Sequence, residues 1–66
     1  MTATARVKRA IHVMLVAGES SGDVLGAGLI RALRELSPRK MRFSGVGGPA
    51  MEGAGLSSLF PMRELS

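Results

Sequence analysis

The 66-residue sequence has no cysteine, tryptophan or tyrosine, and its only aromatic rings are Phe43 and Phe60. Without cysteine there is no disulfide, and a single histidine leaves no Cys/His cluster for a structural metal. A reducing compartment suits such a chain best. So few rings argue against a stacking platform for single-stranded nucleic acid, which needs them under the bases. No apolar run approaches the ~18 residues that a transmembrane helix requires. The run "AIHVMLVAG" does follow basic residues, as a secretory signal would. It contains His12, however, and leads into Glu19 rather than a small-residue cleavage site, so it is not read as one.

What is present fits a globular protein, with 45% hydrophobic residues. Formal net charge is +4, with Arg6, Lys8 and Arg9 near the N-terminus and Arg39, Lys40 and Arg42 in a second group. Charge of this kind can meet nucleic acid or an anionic membrane surface. With no aromatic interleaving and no basic helix, it reads as solvated surface, and no nucleic-acid partner is expected.

Residues 1–9 read as a basic leader. Residues 10–17 form a continuous apolar run of the kind found in a buried parallel strand. His12 interrupts it, as a partly exposed or hydrogen-bonded strand histidine. From about residue 22 to 36 the apolar period becomes helical. Leu25, Leu29, Leu33 and Leu36 share a face, flanked by Ile30 and Ala32. Ser20 or Ser21 can cap this helix, Asp23 complements its dipole, and Ser37-Pro38 ends it. Gly26 and Gly28 in its first turns suggest a close approach to the strand or a ligand.

Residues 41–46 are a second strand, and Gly47-Gly48-Pro49 leads into a short helix through about residue 53, with Pro49 at its first position. Residues 56–60 form a third extended piece. The order predicts a right-handed βαβ unit. Parallel sheets need cover on both faces, so residues 10–66 are expected to be the start of a larger α/β domain.

The stretch "VAGESSGDVLGAG", residues 16–28, contains G-E-S-S-G, which fits the G-x-S-x-G nucleophile elbow of α/β-hydrolases. An elbow serine needs an oxyanion loop from an earlier strand and a later histidine. Here the serine follows the first strand and the only histidine is upstream, so Ser20 is not read as a nucleophile. Walker A and G-x-G-x-x-G are absent too. Glu19 and Asp23 place carboxylates where a phosphate would seek a helix N-terminus. The loop is better suited to sugar hydroxyls, to internal hydrogen bonds, or simply to capping its helix. Its place at the carboxyl end of a strand still favours a ligand. The loop "GVGGPAM", residues 45–51, falls at the same edge, and together the two turns define one side of a cleft.

These two loops, in this order, resemble the lipid-A-disaccharide synthase family. The pattern A-G-E-x-S-G-D falls on Ala17, Gly18, Glu19, Ser21, Gly22 and Asp23, with Ser20 at the variable place; G-G-P-x-M falls on Gly47, Gly48, Pro49 and Met51. "AGLSSLFPMRELS" continues the match to the end, without departure. The resemblance implies a two-lobed GT-B glycosyltransferase, of which this chain begins the Rossmann-like, acceptor-side lobe. It implies a UDP-2,3-diacylglucosamine donor, a 2,3-diacylglucosamine 1-phosphate acceptor and release of UDP. No cofactor or metal is implied, and the location is the cytoplasmic face of the inner membrane, held peripherally. The catalytic base and donor residues are expected downstream. Cleft residues carried over are Gly18, Glu19, Ser21, Gly22, Asp23, Gly47, Gly48 and Pro49. The alternatives are the βαβ start of another nucleotide-binding Rossmann enzyme, or a small basic binding module.

Overall fold

A computed structural model describes residues 11–65. The expected leader, residues 1–9, lies outside the described residues. Three strands, β1 (Ile11–Val16), β2 (Met41–Val46) and β3 (Leu56–Ser58), alternate with two helices, α1 (Ser20–Leu36) and α2 (Pro49–Ala54). A 3-10 turn, Met62–Leu65, follows. The strands form one parallel sheet in the order β1-β2-β3. This is the anticipated α/β unit, an open parallel sheet of Rossmann-like type.

Both crossovers advance across the sheet in the same direction, so right-handed connections place both helices on one face. The core records this. Ala27 and Ile30 of α1, Met51 of α2 and Phe43 and Leu56 of the strands form one buried cluster, with Val13 and Leu15 packed against it. Ile30 and Met51 are its most completely enclosed side chains. Alternate residues of β1 point the other way. His12, Met14 and Val16 are exposed, and the His12 Nε2 lies 2.6 Å from the Ser44 hydroxyl. His12 is thus a hydrogen-bonded strand histidine.

Several details differ from the sequence reading. α1 begins at Ser20, two residues early, and its N-cap is Glu19 in extended conformation, with no side-chain cap. The Ser21 hydroxyl donates instead to the Glu19 carboxylate, at 3.0 Å. The buried side of α1 is Asp23, Ala27 and Ile30, whereas Leu25, Leu29 and Leu36 are exposed among the described residues. The reason is steric. Gly26 and Ala27 let the helix approach α2 closely while Ile30 fills the core, and the leucine ridge, apart from Leu33, is turned aside by roughly a third of a turn. β3 is shorter than residues 56–60, because the chain bends at 59–60, just after the last bond to β2, from the Leu59 N–H to the Gly45 carbonyl at 2.7 Å. α2 runs one residue beyond the expected end, to Ala54.

Gly26 and Gly28, read alike from sequence, do different things. A Cβ on Gly26 would sit 2.6 Å from the Met51 sulfur, whereas a Cβ on Gly28 would meet nothing within 4 Å. Only Gly26 is a close-approach glycine. Alanine is the better helix former by ~1 kcal/mol, while overpacking a filled core costs about 1–3 kcal/mol. Gly28→Ala should therefore raise stability by about 0.5–1 kcal/mol, and Gly26→Ala should lower it by ~1 kcal/mol. Urea midpoints of the two variants, in a polypeptide carrying this unit, check the pair; equal shifts would contradict the packing.

Candidate functional site

Parallel strands bring their carboxyl ends, and the loops that follow, to one edge of a sheet. Val16 pairs with Val46 in register, and the Ala17 N–H donates to the Val46 carbonyl at 2.8 Å. The loops after β1 and β2 therefore leave the sheet side by side. Gly18, Glu19 and Ser21 stand exposed at the end of β1, and Gly22 is half-buried against Ala17. Gly47 and Gly48 are buried behind the exposed ring of Pro49.

One side chain joins the two loops. Asp23, in the first turn of α1, is buried, and its carboxylate reaches across to the start of α2. Oδ1 accepts the N–H groups of Gly48 at 2.9 Å and Met51 at 2.8 Å, and Oδ2 accepts that of Ala50 at 2.9 Å. The first N–H groups of a helix have no partner within it. Here Gly48 is the N-cap, Pro49 at the first position has no N–H, and Ala50 and Met51 follow. One carboxylate from a neighbouring helix thus satisfies every free donor from Gly48 to Met51, the role usually taken by a local cap residue. Gly48 must be glycine for this to hold, because a Cβ there would lie 2.7 Å from Asp23 Oδ2.

Burial pushes the Asp23 carboxyl pKa upward and is the largest single influence. The N–H groups of Met51, Ala50 and Gly48 act together in the opposite direction and leave it below the usual carboxylate value. Asp23 therefore carries its negative charge inside the fold, held by main-chain dipoles. With those donors occupied by Asp23, the Gly47-Gly48-Pro49 loop has the form of a phosphate cradle but an internal occupant.

A groove of about 590 Å³ opens at this edge, lined by Gly47, Gly48, Pro49, Glu52, Ser58 and the segment 59–63. The Ser58 hydroxyl fixes the wall, accepting the Gly47 N–H at 3.2 Å and donating to the Phe60 carbonyl at 2.9 Å. Of the residues anticipated from sequence, only Gly47, Gly48 and Pro49 line this groove. The first loop lies beside it, with Asp23 beneath its floor. Glu52, Ser58 and the 59–63 segment were missed. The available signal was that a third strand ending near residue 58 must deliver its next residues to the same edge.

A parallel sheet with two glycine loops and a groove at its carboxyl edge defines a Rossmann-like α/β unit. A family model described as lipid-A-disaccharide synthetase matches residues 13–66, and the chain belongs to that family. It is similar to the lipid-A-disaccharide synthase of Pseudomonas paraeruginosa (strain DSM 24068 / PA7), 61% identical over 56 residues, covering 85% of this chain and 15% of that protein. The synthase of Granulibacter bethesdensis is 61% identical over 54 residues, 82% of this chain and 14% of its own. That of Ruegeria pomeroyi is 57% identical over 61 residues, 92% of this chain and 15% of its own. The chain thus spans about 15% of the length of these relatives.

Asparagine at position 23 keeps one acceptor but turns an NH2 group toward at least one backbone N–H. A bond to a charged acceptor contributes about 1.5–3 kcal/mol, and a stranded buried donor costs a similar amount. Asp23→Asn is expected to lower stability by about 2–3 kcal/mol. Because the folded pKa is depressed, the carboxylate's contribution is fully present above the unfolded value of ~3.9 and is lost as pH falls through the folded value. Denaturation curves between neutral pH and pH 2 should show the wild-type advantage shrinking only below about pH 4. An advantage that is absent at pH 7, or constant down to pH 2, would contradict the assignment.

Proposed function

We propose that the chain is the first part of the acceptor-side lobe of a GT-B glycosyltransferase. In this reading the whole protein transfers the diacylglucosamine of UDP-2,3-diacylglucosamine to 2,3-diacylglucosamine 1-phosphate. The observation that carries it is the family match over residues 13–66, which includes both glycine loops at the sheet's carboxyl edge. An acceptor hydroxyl attacks the anomeric carbon of the donor, the bond to UDP breaks, and the hydroxyl proton passes to a base. That base, an aspartate, and the donor-binding residues belong to later parts of the polypeptide. The residues in hand supply one wall of the cleft.

The geometry suits that share of the work. Gly18, Glu19 and Ser21 are exposed at the edge, and the Glu19 carboxylate, oriented by the Ser21 hydroxyl, can accept hydrogen bonds from sugar hydroxyls. A loop whose helix donors are already satisfied by Asp23 has little to offer a phosphate, which supports a sugar or lipid portion of the substrate above it. No helix among the described residues is long and apolar enough to cross a membrane. Contact with the inner membrane, in this reading, is peripheral and on the cytoplasmic side.

The full-length protein, given donor and acceptor, should release UDP in proportion to disaccharide formed, while the 66-residue chain alone should release none. Glu19→Gln in the full-length protein should raise the acceptor KM or lower kcat/KM for the acceptor by about tenfold, the loss of one charge-assisted bond. Wild-type acceptor kinetics in that variant would remove Glu19 from the cleft. Absence of UDP release from the full-length protein would overturn the reaction itself.

A further inference from the structure

The buried carboxylate of Asp23 does not itself line the groove, yet its hydrogen bonds go to the groove floor and to the start of the helix behind it. Its partners are the N–H groups of Gly48, Ala50 and Met51, and Gly48 and Pro49 line the groove. Among the described residues, Asp23 is the one α1 side chain hydrogen-bonded to this loop; the rest of the contact is packing, with Met51 against Gly26 and in one cluster with Ala27 and Ile30. The floor also carries part of the roof. Met62, from the turn that closes the groove, lies against Gly48, where a Cβ would come within 3.0 Å of its terminal methyl. A displacement of Gly48 therefore moves floor and wall together.

We infer that Asp23 is a positioning residue for the substrate portion bound over the Gly47-Gly48-Pro49 loop, acting through Gly48 rather than by touching substrate. This rests on the acceptor-lobe reading above. In that reading the loop meets the acceptor, so the effect falls on the acceptor and spares the donor. A carboxylate at this place must satisfy two conditions, charge and reach. Asparagine removes the charge and keeps the reach. Glutamate keeps the charge but sets its oxygens one methylene further out, pushing Gly48 toward the groove. Both should disturb the floor, by different routes.

The test compares Asp23→Asn, Asp23→Glu and Ile30→Val in the full-length protein. Ile30 is enclosed in the core and does not line the groove, so its variant controls for lost stability alone. Amide hydrogen exchange should rise at Gly48, Ala50 and Met51 in both Asp23 variants, well beyond the rise elsewhere in the unit, and evenly in Ile30→Val. Below the melting range, the acceptor KM should rise about tenfold in the Asp23 variants, with the donor KM within about twofold of wild type, since small displacements of positioning groups carry large kinetic effects. Should Asp23→Asn fail to fold, Asp23→Glu carries the same comparison. Even exchange across the unit, or equal KM changes for both substrates, would overturn the inference while leaving the reaction intact. Selective exchange at the three amides in a protein that releases no UDP would support the positioning of the loop and overturn the acceptor-lobe reading instead.

Discussion

The start of α2 depends on a carboxylate it does not contain. Six residues are too few for a helix to persist in water, since nucleation alone is unfavourable. Its stability must come from packing and from satisfaction of its end groups. Met51 supplies the first, enclosed in the core, and Asp23 the second, through its three main-chain bonds. At the other end the Gly55 N–H returns to the Glu52 carbonyl at 3.1 Å. Removing Asp23 would leave buried N–H groups without partners in the part of the fold that shapes the groove.

This one interaction also takes up the main-chain donors at the edge of the sheet. A glycine-rich turn before a helix ordinarily offers its N–H groups to an external anion. Here the anion is internal, and the loop becomes a rigid surface. The polar groups that remain exposed at this edge are Glu19 and Ser21 beside β1 and Glu52 at the groove, while the half-buried Ser58 hydroxyl is engaged with Gly47 and Phe60. Close packing makes the arrangement stiff. Gly26 admits Met51, Gly48 admits Asp23, and both contacts tie α1 to the start of α2.

Much of the fold was legible in the sequence because it rests on local signals. β2 was read with its observed limits, since Gly47-Gly48-Pro49 marks its end clearly. The parallel sheet followed from the alternation of strand and helix patterns. The face of α1 was not legible. Leucine spacing pointed to Leu25, Leu29, Leu33 and Leu36 with Ile30 and Ala32 at the flank. Leu33 and Ile30 do pack in the core, but Leu25, Leu29 and Leu36 are exposed and Ala27 is buried instead, because periodicity cannot tell a packing face from an exposed apolar ridge. Of the site, the two loops and their common edge were foreseen. The bond between them was not, because Asp23 and Gly48 are 25 residues apart and nothing in a local pattern connects a first-turn aspartate to another helix. The side wall was missed for a similar reason: residues 59–63 carry no motif chemistry and matter only by where β3 delivers them.

The charge and environment of Asp23 are therefore the quantities on which this account turns, and the side-chain carboxyl 13C resonance of Asp23 reports both. Followed from pH 7 downward in the folded protein, it should titrate below the ordinary aspartate value of ~3.9, or remain ionised until the protein unfolds. In the same range the amide protons of Gly48, Ala50 and Met51 should shift with it. A midpoint at or above the ordinary value, with those amides unmoved, would contradict the central claim that a buried, ionised Asp23 holds the two loops together.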